Sequence, residues 1–416
     1  MRTFQVAPMS EGPDKGIAPT YQNNDAATPS MSLPFDFCFY GQNFDSVFIC
    51  NNGIISFLYP IYKFITSGGF PLGADSLIIA PFFADSYTRF SAGYVHYKIT
   101  PTHMIVRWDS IGFETLDQDF WNTFQLIISD GTDPIIPGGN NVSFCYSNML
   151  WASADNSGGF DGYGGIPAIV GINKGDGANY AQISTYNVPG NVYYGPFAAF
   201  NGLQWLNLKS FLLNTCVTGN TLPPVVLNMP QKCDTLTICD ADTLTVTTTF
   251  LYAQQGQSAT LAASYSGSSG ISVLNSTTGN IIDTITVQLI TSVADTGIHV
   301  LNVTATDNSS PAQTSTMSYT VIVQNCITGI NESGSGNNVS CYPNPGKGIF
   351  TIEINNLLSD VNHEAKVFDV IGNEIYSAKL SNVKTQIDLS SKSKGVYFLK
   401  LVRENASVVM KKIIIH

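Results

Sequence analysis

Short runs in which apolar and polar residues alternate recur along most of the chain. Between residues 31 and 39, Phe35, Phe37 and Phe39 occupy every second position, which places their rings on one face of a strand. The runs are rich in β-branched and aromatic residues and are bounded by Gly, Pro, Asn and Ser, which favour turns. The pattern predicts an all-β fold. Predicted strands of the first half include LIIAPFFADS from Leu77, GYVHYKI from Gly93, MIVRWDSIGF from Met104, NTFQLIISDG from Asn122, VSFCYSNMLW from Val142 and AIVGINKGDG from Ala168.

Two breaks in this pattern predict domain boundaries. The 416 residues exceed what one ordinary core holds, since a domain typically has about 100 to 200 residues. Pro223-Pro224 interrupts the alternation because proline cannot continue a central strand. A Gly/Ser/Asn-rich stretch at 328–338 indicates a flexible linker. We predict an N-terminal domain at 1–218 with a core at about 25–200, a spacer at 219–327 and a C-terminal domain at 339–416.

Composition narrows the class of protein and of partner. Only 12% of the residues are charged while 44% are hydrophobic, and the formal net charge is −11. By count, residues 1–218 carry 8 basic and 16 acidic groups, residues 219–327 carry 1 and 6, and residues 328–416 carry 10 and 8. Since an acidic surface is repelled by phosphate backbones, we expect no nucleic-acid partner. No apolar run reaches the roughly 18 residues of a transmembrane helix, so we expect no membrane-spanning segment.

Four short motifs follow one another in the last 80 or so residues. The sequence YPNPGKGIFTIEI begins with a turn and continues as a strand in which Phe350, Ile352 and Ile354 share one face. In KVFDVIGNEIYSAKL, the pair Gly372-Asn373 predicts a two-residue hairpin turn. The segments that follow are IDLSSKSKGVYFLKLV, where Gly395 opens a strand with Tyr397 on its inner side, and the terminal KKIIIH.

This order of motifs resembles the C-terminal sorting domain of cargo for the type IX secretion system of Gram-negative bacteria. The alternative is an ordinary small β-sandwich. The resemblance implies export through the periplasm to the cell surface or medium, with the outer-membrane translocon as partner. The residues that would carry the sorting signal are Tyr342, Pro343, Asn344, Pro345, Gly372, Gly395, Tyr397, Lys411 and Lys412.

Export would require a signal peptide and would permit disulfides. The opening sequence MRTFQVAPMSEGPDKG lacks the roughly 7 to 15 apolar residues of a signal-peptide core, so we expect either a fragment with upstream sequence missing or a mis-assigned start. The even number of eight cysteines favours disulfides in an exported β-protein. Proximity along the chain predicts three pairs, with buried free thiols as the alternative. The predicted pairs are Cys38–Cys50, Cys233–Cys239 and Cys326–Cys341.

The N-terminal domain resembles the NIDO domain, an extracellular β-rich module of nidogen, tectorin and mucin-type proteins. Two positions depart from the family pattern: Phe83 stands where tryptophan is frequent, and His96 where tyrosine is frequent. The resemblance implies adhesion or matrix binding and no enzymatic activity. The matching residues are Asn52-Gly53, Ala80-Pro81-Phe82, Ala84-Asp85, Trp108, Asn122-Thr123-Phe124-Gln125, Asp130-Gly131 and Trp151.

The rings of this pattern are best explained as core residues. Trp108 and Trp151 are expected on strands that pack against the opposite sheet, with stacking on a ligand as the alternative. Phe82 and Phe83 beside Pro81 are likewise expected in the core rather than in a pocket.

A glycine-rich stretch, SADNSGGFDGYGGIPA at 153–168, is the candidate ligand-binding loop. Loops carried by a rigid sheet commonly bind partners, and the loop offers Asp155, Phe160, Asp161 and Tyr163 to a carbohydrate or protein. A plain solvated turn is the alternative. Carboxylates there also make calcium possible, although the spacing matches no known loop motif. The candidate calcium ligands are Asp155, Asp161, Asp176 and Asp307.

The segment 222–326 predicts about seven short strands, the number typical of an immunoglobulin-like sandwich. DTGIHVLNVTATDNSSP from Asp295 also resembles the late strands of cadherin-like repeats, in which Asp307 would lie near calcium. The other acidic motifs of cadherins are missing, so we favour a turn-forming role for Asp307.

The sequence therefore predicts a secreted or cell-surface, non-catalytic protein without a cofactor, which binds a glycan or a matrix or surface protein through its N-terminal domain. No HExxH, GxSxG or phosphate-loop motif is present. His96 and His103 lie in β-patterned stretches, where packed or surface histidines are the rule. Two alternatives stay open: a secreted hydrolase with an unrecognised carboxylate site, and a structural component of a surface layer or filament.

Overall fold

The chain is all-β and comprises two compact units, as seen in a computed structural model. These are the N-terminal unit, Met1–Asn325, and the C-terminal unit, Cys326–His416. The regular elements are strands and short 3₁₀ turns, which confirms the predicted fold class. The predicted linker at 328–338 lies outside the described residues. The structure describes residues 3–10, 23–64, 68–73, 76–88, 93–113, 120–227, 235–277, 279, 281–326, 339–354, 363–380, 382–403 and 406–416.

The first part of the N-terminal unit is a sandwich of two sheets. Its strands are β1 (Gln5–Val6), β2 (Met31–Phe39), β3 (Gln42–Cys50), β4 (Ile54–Ser56), β5 (Ile78–Phe83), β6 (Ser86–Tyr87), β7 (Tyr94–Ile99), β8 (His103–Phe113), β9 (Asn122–Ser129), β10 (Val142–Tyr146), β11 (Ala168–Asn173), β12 (Tyr180–Val188), β13 (Asn201–Gly202) and β14 (Ser210–Leu213). One sheet has the order β1-β7-β8-β9-β10-β14, and the other has the order β13-β12-β11-β5-β4-β3-β2. Phe35, Phe37 and Phe39 are all buried between the sheets, as the alternation predicts.

The rest of the N-terminal unit is a second sandwich, of eight strands in the described residues, over the segment for which the sequence predicts an immunoglobulin-like fold. The strands are β15 (Val225–Leu227), β16 (Thr235–Cys239), β17 (Thr243–Leu251), β18 (Ala259–Tyr265), β19 (Ile271–Ser276), β20 (Ile282–Ile290), β21 (Gly297–Asp307) and β22 (Thr314–Gln324). A four-stranded sheet, β16-β22-β21-β18, packs against β15-β17-β20-β19. We call residues 225–324 the immunoglobulin-like module.

The two sandwiches share one continuous sheet. Strand β15 pairs with β14 through Phe211 and Leu212, and on its other edge with β17. The predicted boundary between residues 218 and 219 therefore falls inside an eleven-stranded sheet of the described chain. Ile105, Ile127 and Leu212 project from the outer face of the first sandwich into the core of the module. The module is fused to the first sandwich by both hydrogen bonds and apolar contact.

The C-terminal unit is a smaller sandwich. Its strands are β23 (Val339–Tyr342), β24 (Ile349–Ile354), β25 (His363–Phe368), β26 (Glu374–Leu380), β27 (Lys384–Asp388), β28 (Gly395–Arg403) and β29 (Ala406–Ile415). The sheet β23-β24-β27 faces the sheet β26-β25-β28-β29. Phe350, Ile352 and Ile354 are buried on one face of β24, as predicted, and Tyr397 is buried on β28.

The structure corrects two of the predicted disulfides. Cys38 pairs with Cys216, at a Cα–Cα distance of 4.9 Å, and Cys50 is a buried free thiol. Cys38 lies opposite Asn43 in the β2–β3 register. Cys50 is seven residues further along β3, which at about 3.3 Å per residue is far beyond disulfide reach. The predicted pair Cys38–Cys50 is therefore wrong.

The pair Cys326–Cys341 is also wrong, because Cys341 is a free thiol. It packs against the core of the C-terminal unit, and burial raises its pKa to about 11. Cys239 and Cys326 are both disulfide-bonded. Cys233 lies outside the described residues, so the pair Cys233–Cys239 stays a prediction.

Candidate functional site: the glycine-rich loop and the aromatic loop

The glycine-rich loop, residues 153–168, connects the two sheets of the first sandwich between β10 and β11. It begins with a 3₁₀ turn at Asp155–Ser157. Its tip is a tight hairpin in which Phe160 and Tyr163 exchange two backbone hydrogen bonds of 2.7 and 3.1 Å. Asp161 and Gly162 between them have φ of 50° and 84°, the combination that a type I′ turn requires. The tip therefore has a defined conformation.

Glycine is required where the loop backbone packs on itself. A Cβ at Gly165 would lie 2.4 Å from the amide of Gly159, the hydroxyl of Ser153 and the carbonyl of Ser157. A Cβ at Gly159 would lie 2.8 Å from the Ala154 carbonyl oxygen. Real Cβ contacts of this length do not occur without displacement. The glycines therefore allow dense packing of the backbone and hold the loop in one shape.

Residues of the NIDO-like pattern anchor the base of the loop. The buried Asn122 side chain donates to the carbonyl of Trp151 at 2.8 Å and accepts from the amide of Leu150 at 2.7 Å. The Trp151 indole donates to the carbonyl of Ile111 at 2.9 Å. Trp151 is buried in the core as predicted, but it lies in the connection after β10 and not on a strand. These bonds fix the point at which the chain enters the loop.

The same pattern forms the aromatic core beneath the loop. Trp108 stacks on Phe124 with ring centroids 5.0 Å apart, and Phe82 packs edge-on against Trp151 at 5.8 Å. Phe82 and Phe83 are buried, so the core interpretation of these rings is confirmed. The aromatic part of the pattern is architectural because its rings are turned away from solvent.

Gly53 shows the same dependence on close packing. It has a φ of 80°, and a Cβ there would lie 1.8 Å from the carbonyl oxygen of Phe82. A left-handed backbone and this approach both demand glycine. Next to it, Asn52 accepts from the amide of Ser86 at 2.8 Å and donates to Asp25 at 2.8 Å.

The structure separates the four predicted loop residues into two kinds. Phe160 is 79% exposed, and Asp155 and Asp161 of the same loop are also exposed. Tyr163 is half-buried: its hydroxyl donates to the carbonyl of Leu150 at 2.6 Å and accepts from Gln204 at 2.9 Å. Burial raises the pKa of Tyr163. Phe160 and the two carboxylates are available to a partner, whereas Tyr163 supports the loop.

The remaining calcium candidates lie on separate turns. Asp176 accepts two bonds from Asn179, of 2.7 and 2.6 Å, and one from the amide of Ala178 at 3.0 Å. Asp307 accepts from Gln313 and from Ser309 and so forms the turn that we favoured. Among the described residues, no group of three or more His, Cys, Asp or Glu side chains is placed to share a metal. Calcium binding stays a prediction.

The two histidines of the first sandwich take structural positions. His96 lies on β7 with its ring centroid 6.0 Å from that of Tyr94. The Nδ1 atom of His103 lies 2.6 Å from a carboxylate oxygen of Asp133, which also accepts from Thr102. Burial alone raises the pKa of Asp133, but hydrogen bonds, chiefly from Thr102, outweigh it and lower the pKa. The contact between His103 and Asp133 connects the start of β8 to the turn after β9.

Sequence reasoning missed a second exposed feature, which we call the aromatic loop, residues 192–200. Three of its rings face solvent: Tyr194 is 60% exposed, Phe200 49% and Phe197 42%. Tyr194 and Phe197 border a cleft of about 630 Å³ whose opposite wall belongs to the immunoglobulin-like module. The signal was present in the sequence, as a cluster of aromatic residues interrupted by glycine and proline between β12 and β13.

In the C-terminal unit, the first and last of the four motifs meet. The Asn344 side chain donates to the carbonyl of Lys412 at 2.6 Å and accepts from the amide of Ile414 at 2.9 Å. The backbone amide of Gly346 also donates a hydrogen bond of 2.9 Å to the carbonyl of Ile414. The turn Tyr342–Gly346 is thereby fastened to β29, in which Lys412 is exposed and Lys411 half-buried.

The other predicted sorting residues support turns and packing. Gly372 lies in the β25–β26 hairpin, where Phe368 pairs with Glu374. The connection is five residues long, so the hairpin is confirmed but the two-residue turn is wrong. Asp369 closes it by accepting from the amide and side chain of Asn373, each at 2.9 Å. Gly395 begins β28, and Tyr397 is buried there, its hydroxyl donating to Ser393.

Comparison with known families accounts for both ends of the chain. A family model described as NIDO related matches residues 7–193, and one described as a secretion system C-terminal sorting domain matches residues 340–416. The chain carries a NIDO-related domain and a type IX sorting domain. The sorting domain implies export to the cell surface or medium and interaction with the secretion machinery. Within the described residues, every helix is too short or too polar to cross a bilayer.

Relatives of the NIDO-related domain are much larger proteins. Alpha-tectorin of Mus musculus is 26% identical over 213 residues, covering 42% of this chain and 10% of the tectorin. Alpha-tectorin of Homo sapiens is 26% identical over 222 residues, covering 45% and 10%. The chain thus spans about a tenth of the length of these relatives. The NIDO-related domain indicates an extracellular, adhesion-type role.

Similarity to solved structures is weak. Dimeric latent PorU from Porphyromonas gingivalis is 15% identical, with 75% of this chain and 31% of that chain covered and a TM-score of 0.18. Domains A168–A170 of titin are 10% identical, with 60% and 88% covered and a TM-score of 0.21. Scores this low carry no argument about function.

Proposed function

We propose that the protein is a non-catalytic adhesion protein of a Gram-negative bacterium, exported through the periplasm and the type IX outer-membrane translocon. Its N-terminal unit binds a glycan or a matrix or surface protein. The observation that supports this most directly is Phe160, a ring 79% exposed at the tip of a tightly packed loop. A large apolar side chain held in water by a rigid loop is typical of a contact residue, because little conformational entropy is lost on binding.

The neighbouring groups fit the same role. Asp161 follows Phe160 directly in the tip turn, so a partner that covers Phe160 also meets a hydrogen-bond acceptor, and the exposed Asp155 offers another in the same loop. Aromatic anchors surrounded by polar groups are the usual composition of a recognition surface.

The test uses the full chain on arrays of glycans and matrix proteins, with chromogenic glycosides and peptides assayed in parallel. We expect retention without turnover. Phe160→Ala should weaken binding by about tenfold or more, as loss of an aromatic anchor does. Leu208→Ala is the matched control, because Leu208 is 78% exposed but lies outside the loop. Turnover without retention would support the hydrolase alternative, and concentration-dependent self-association without retention would support a structural role.

The export route has its own test. Deletion of Tyr342 to His416 should leave the protein in the periplasm of its native host, whereas Phe160→Ala should reach the surface normally. Surface display of the truncated protein would contradict the proposed route.

A further inference from the structure

The aromatic loop is held rigidly by buried amides. Asn201 is fully buried; its side chain accepts from the backbone amide of Tyr194 at 2.6 Å and donates to the carbonyl of Gly195 at 2.9 Å. Gln182 donates to the carbonyl of Pro196 at 2.6 Å. The backbone beneath the exposed rings is therefore fixed before any ligand arrives, which lowers the entropy cost of binding.

The exposed rings of this loop pack edge-on against neighbouring rings. The Phe197 ring packs edge-on against Tyr180 with centroids 6.4 Å apart, and Tyr194 packs edge-on against Phe200 at 6.0 Å. Tyr194 and Phe197 also line the cleft of about 630 Å³. Such rings offer apolar faces to a ligand, and Tyr194 adds a hydroxyl.

The immunoglobulin-like module supplies the other wall. Ile281 is 44% exposed, and a Cβ at Gly195 would lie 2.6 Å from its Cδ1 atom, so the aromatic loop and the module are in direct contact. Gln254 of the module also lines the cleft and donates to the carbonyl of Tyr180 at 3.2 Å. The amide of Gln182 donates to the carbonyl of Ala253 at 2.8 Å. These bonds fix the two walls relative to each other.

The chemistry of the cleft favours an uncharged ligand. None of the described residues that line it carries a charge. The nearby carboxylate of Asp283 is buried and accepts from the Tyr252 hydroxyl at 2.7 Å, so it is directed inward. A phosphate or an acidic ligand would require cationic partners. Aromatic faces beside amides and backbone groups match a pyranose, which has apolar C–H faces and a rim of hydroxyls.

We propose that this cleft binds a neutral oligosaccharide, with sugar rings packed on Tyr194 and Phe197 and hydroxyls bonded by the Tyr194 hydroxyl and the backbone of the module. Its volume falls in the usual range of ligand sites, about 300 to 1,000 Å³. The inference goes beyond the proposed function in naming the ligand class and a second site. It rests on that function only in requiring an extracellular partner.

The experiment titrates the full chain with neutral and acidic oligosaccharides, found by glycan array and measured by calorimetry. We expect binding of neutral sugars. Tyr194→Ala and Phe197→Ala should each weaken it by about tenfold or more. Tyr194→Phe keeps the ring and should retain most of the affinity. Leu208→Ala, at an exposed residue outside the cleft, should bind the sugar like wild type, and unchanged circular dichroism confirms that each variant is folded.

Three results would overturn the inference: no neutral sugar is bound, only acidic sugars are bound, or Tyr194→Ala and Phe197→Ala bind like wild type. If neutral sugars are lost in Phe160→Ala alone, the cleft is wrong while the proposed function stands. If matrix proteins bind but sugars do not, the cleft is again wrong and adhesion is retained. Failure of every ligand class would contradict both proposals.

Discussion

Removing the Cys38–Cys216 disulfide is expected to destabilise the N-terminal unit strongly. The bond joins β2, an edge strand of the second sheet, to the segment after β14 in the first sheet, across 178 residues. Its surroundings do not depend on it: the Cys38 carbonyl accepts from Asn141 at 2.7 Å and from Thr215 at 2.9 Å. The Cys38→Ala/Cys216→Ala double variant should therefore keep its native structure and lose mainly the restraint on the unfolded chain.

The magnitude follows from loop closure. In the chain-entropy treatment, a cross-link that closes a loop of 178 residues contributes about 5 kcal/mol at 25 °C, and measured losses for native disulfides run from about 2 to 5 kcal/mol. We expect a loss of about 3 to 5 kcal/mol. With a urea m-value of about 3 kcal/mol/M for a unit of this size, the unfolding midpoint should fall by about 1 M or more.

Tryptophan fluorescence during urea unfolding measures this change. All four tryptophans lie in residues 1–218, so the signal reports the N-terminal unit and not the sorting domain. Cys145→Ala is the matched control, because Cys145 is a half-buried free thiol. Its midpoint should stay close to that of wild type.

Two results would refute this reasoning. The double variant and Cys145→Ala could unfold at the same urea concentration, which would show that the cross-link contributes nothing. Peptide mapping without reduction could link Cys38 to Cys50, which would restore the pairing expected from local spacing.

Three further predictions concern the loop, the tail and the module. Gly165→Ala should destabilise the N-terminal unit by about 2 kcal/mol or more, because the new Cβ would lie 2.4 Å from three other atoms. Gly270→Ala is the control: its new Cβ would have no atom within 4 Å, so the thermal midpoint should stay unchanged. Asn344→Ala removes two bonds to β29 and should speed amide exchange at Ile414 by about tenfold; unchanged exchange would contradict the fastening of that strand. Burial alone raises the pKa of Asp295, but hydrogen bonds from Ser269 and Ser292 outweigh it and lower the pKa. The stabilisation by Asp295 is therefore present above the unfolded pKa of about 4 and lost as the pH falls through the lower folded value. In thermal melts from pH 2 to 7, the melting temperature of Asp295→Asn should fall less with decreasing pH than that of wild type.

Much of the fold could be predicted because its signals are local. The alternation at Phe35, Phe37 and Phe39 and at Phe350, Ile352 and Ile354 reports which face of a strand is buried. Compact turns such as Asp161-Gly162 need residues that tolerate positive φ, which are visible in the sequence. The exposed Phe160 could be anticipated for the same reason, since it lies next to such a turn.

The errors concern contacts between residues that are distant in the chain. Spacing favoured Cys38–Cys50, yet the strand register carries Cys50 away and the sandwich brings Cys216 close. The cleft likewise depends on the aromatic loop and Ile281 coming together from two sandwiches. No local pattern specifies such meetings, because they follow from how the sheets pair and pack.

The continuous sheet changes which part of the chain can be studied in isolation. A fragment that stops at residue 218 would lack β15 and leave the edge of β14 unpaired. It would also expose Ile105, Ile127 and Leu212, which are now buried against the module; at about 25 cal/mol per Å² of apolar surface, a few such side chains cost several kcal/mol. An open edge beside an apolar face is also an aggregation hazard. Binding by such a fragment would therefore report a damaged surface, and the unit that can be tested for adhesion is 1–325, with the immunoglobulin-like module as a wall of its site.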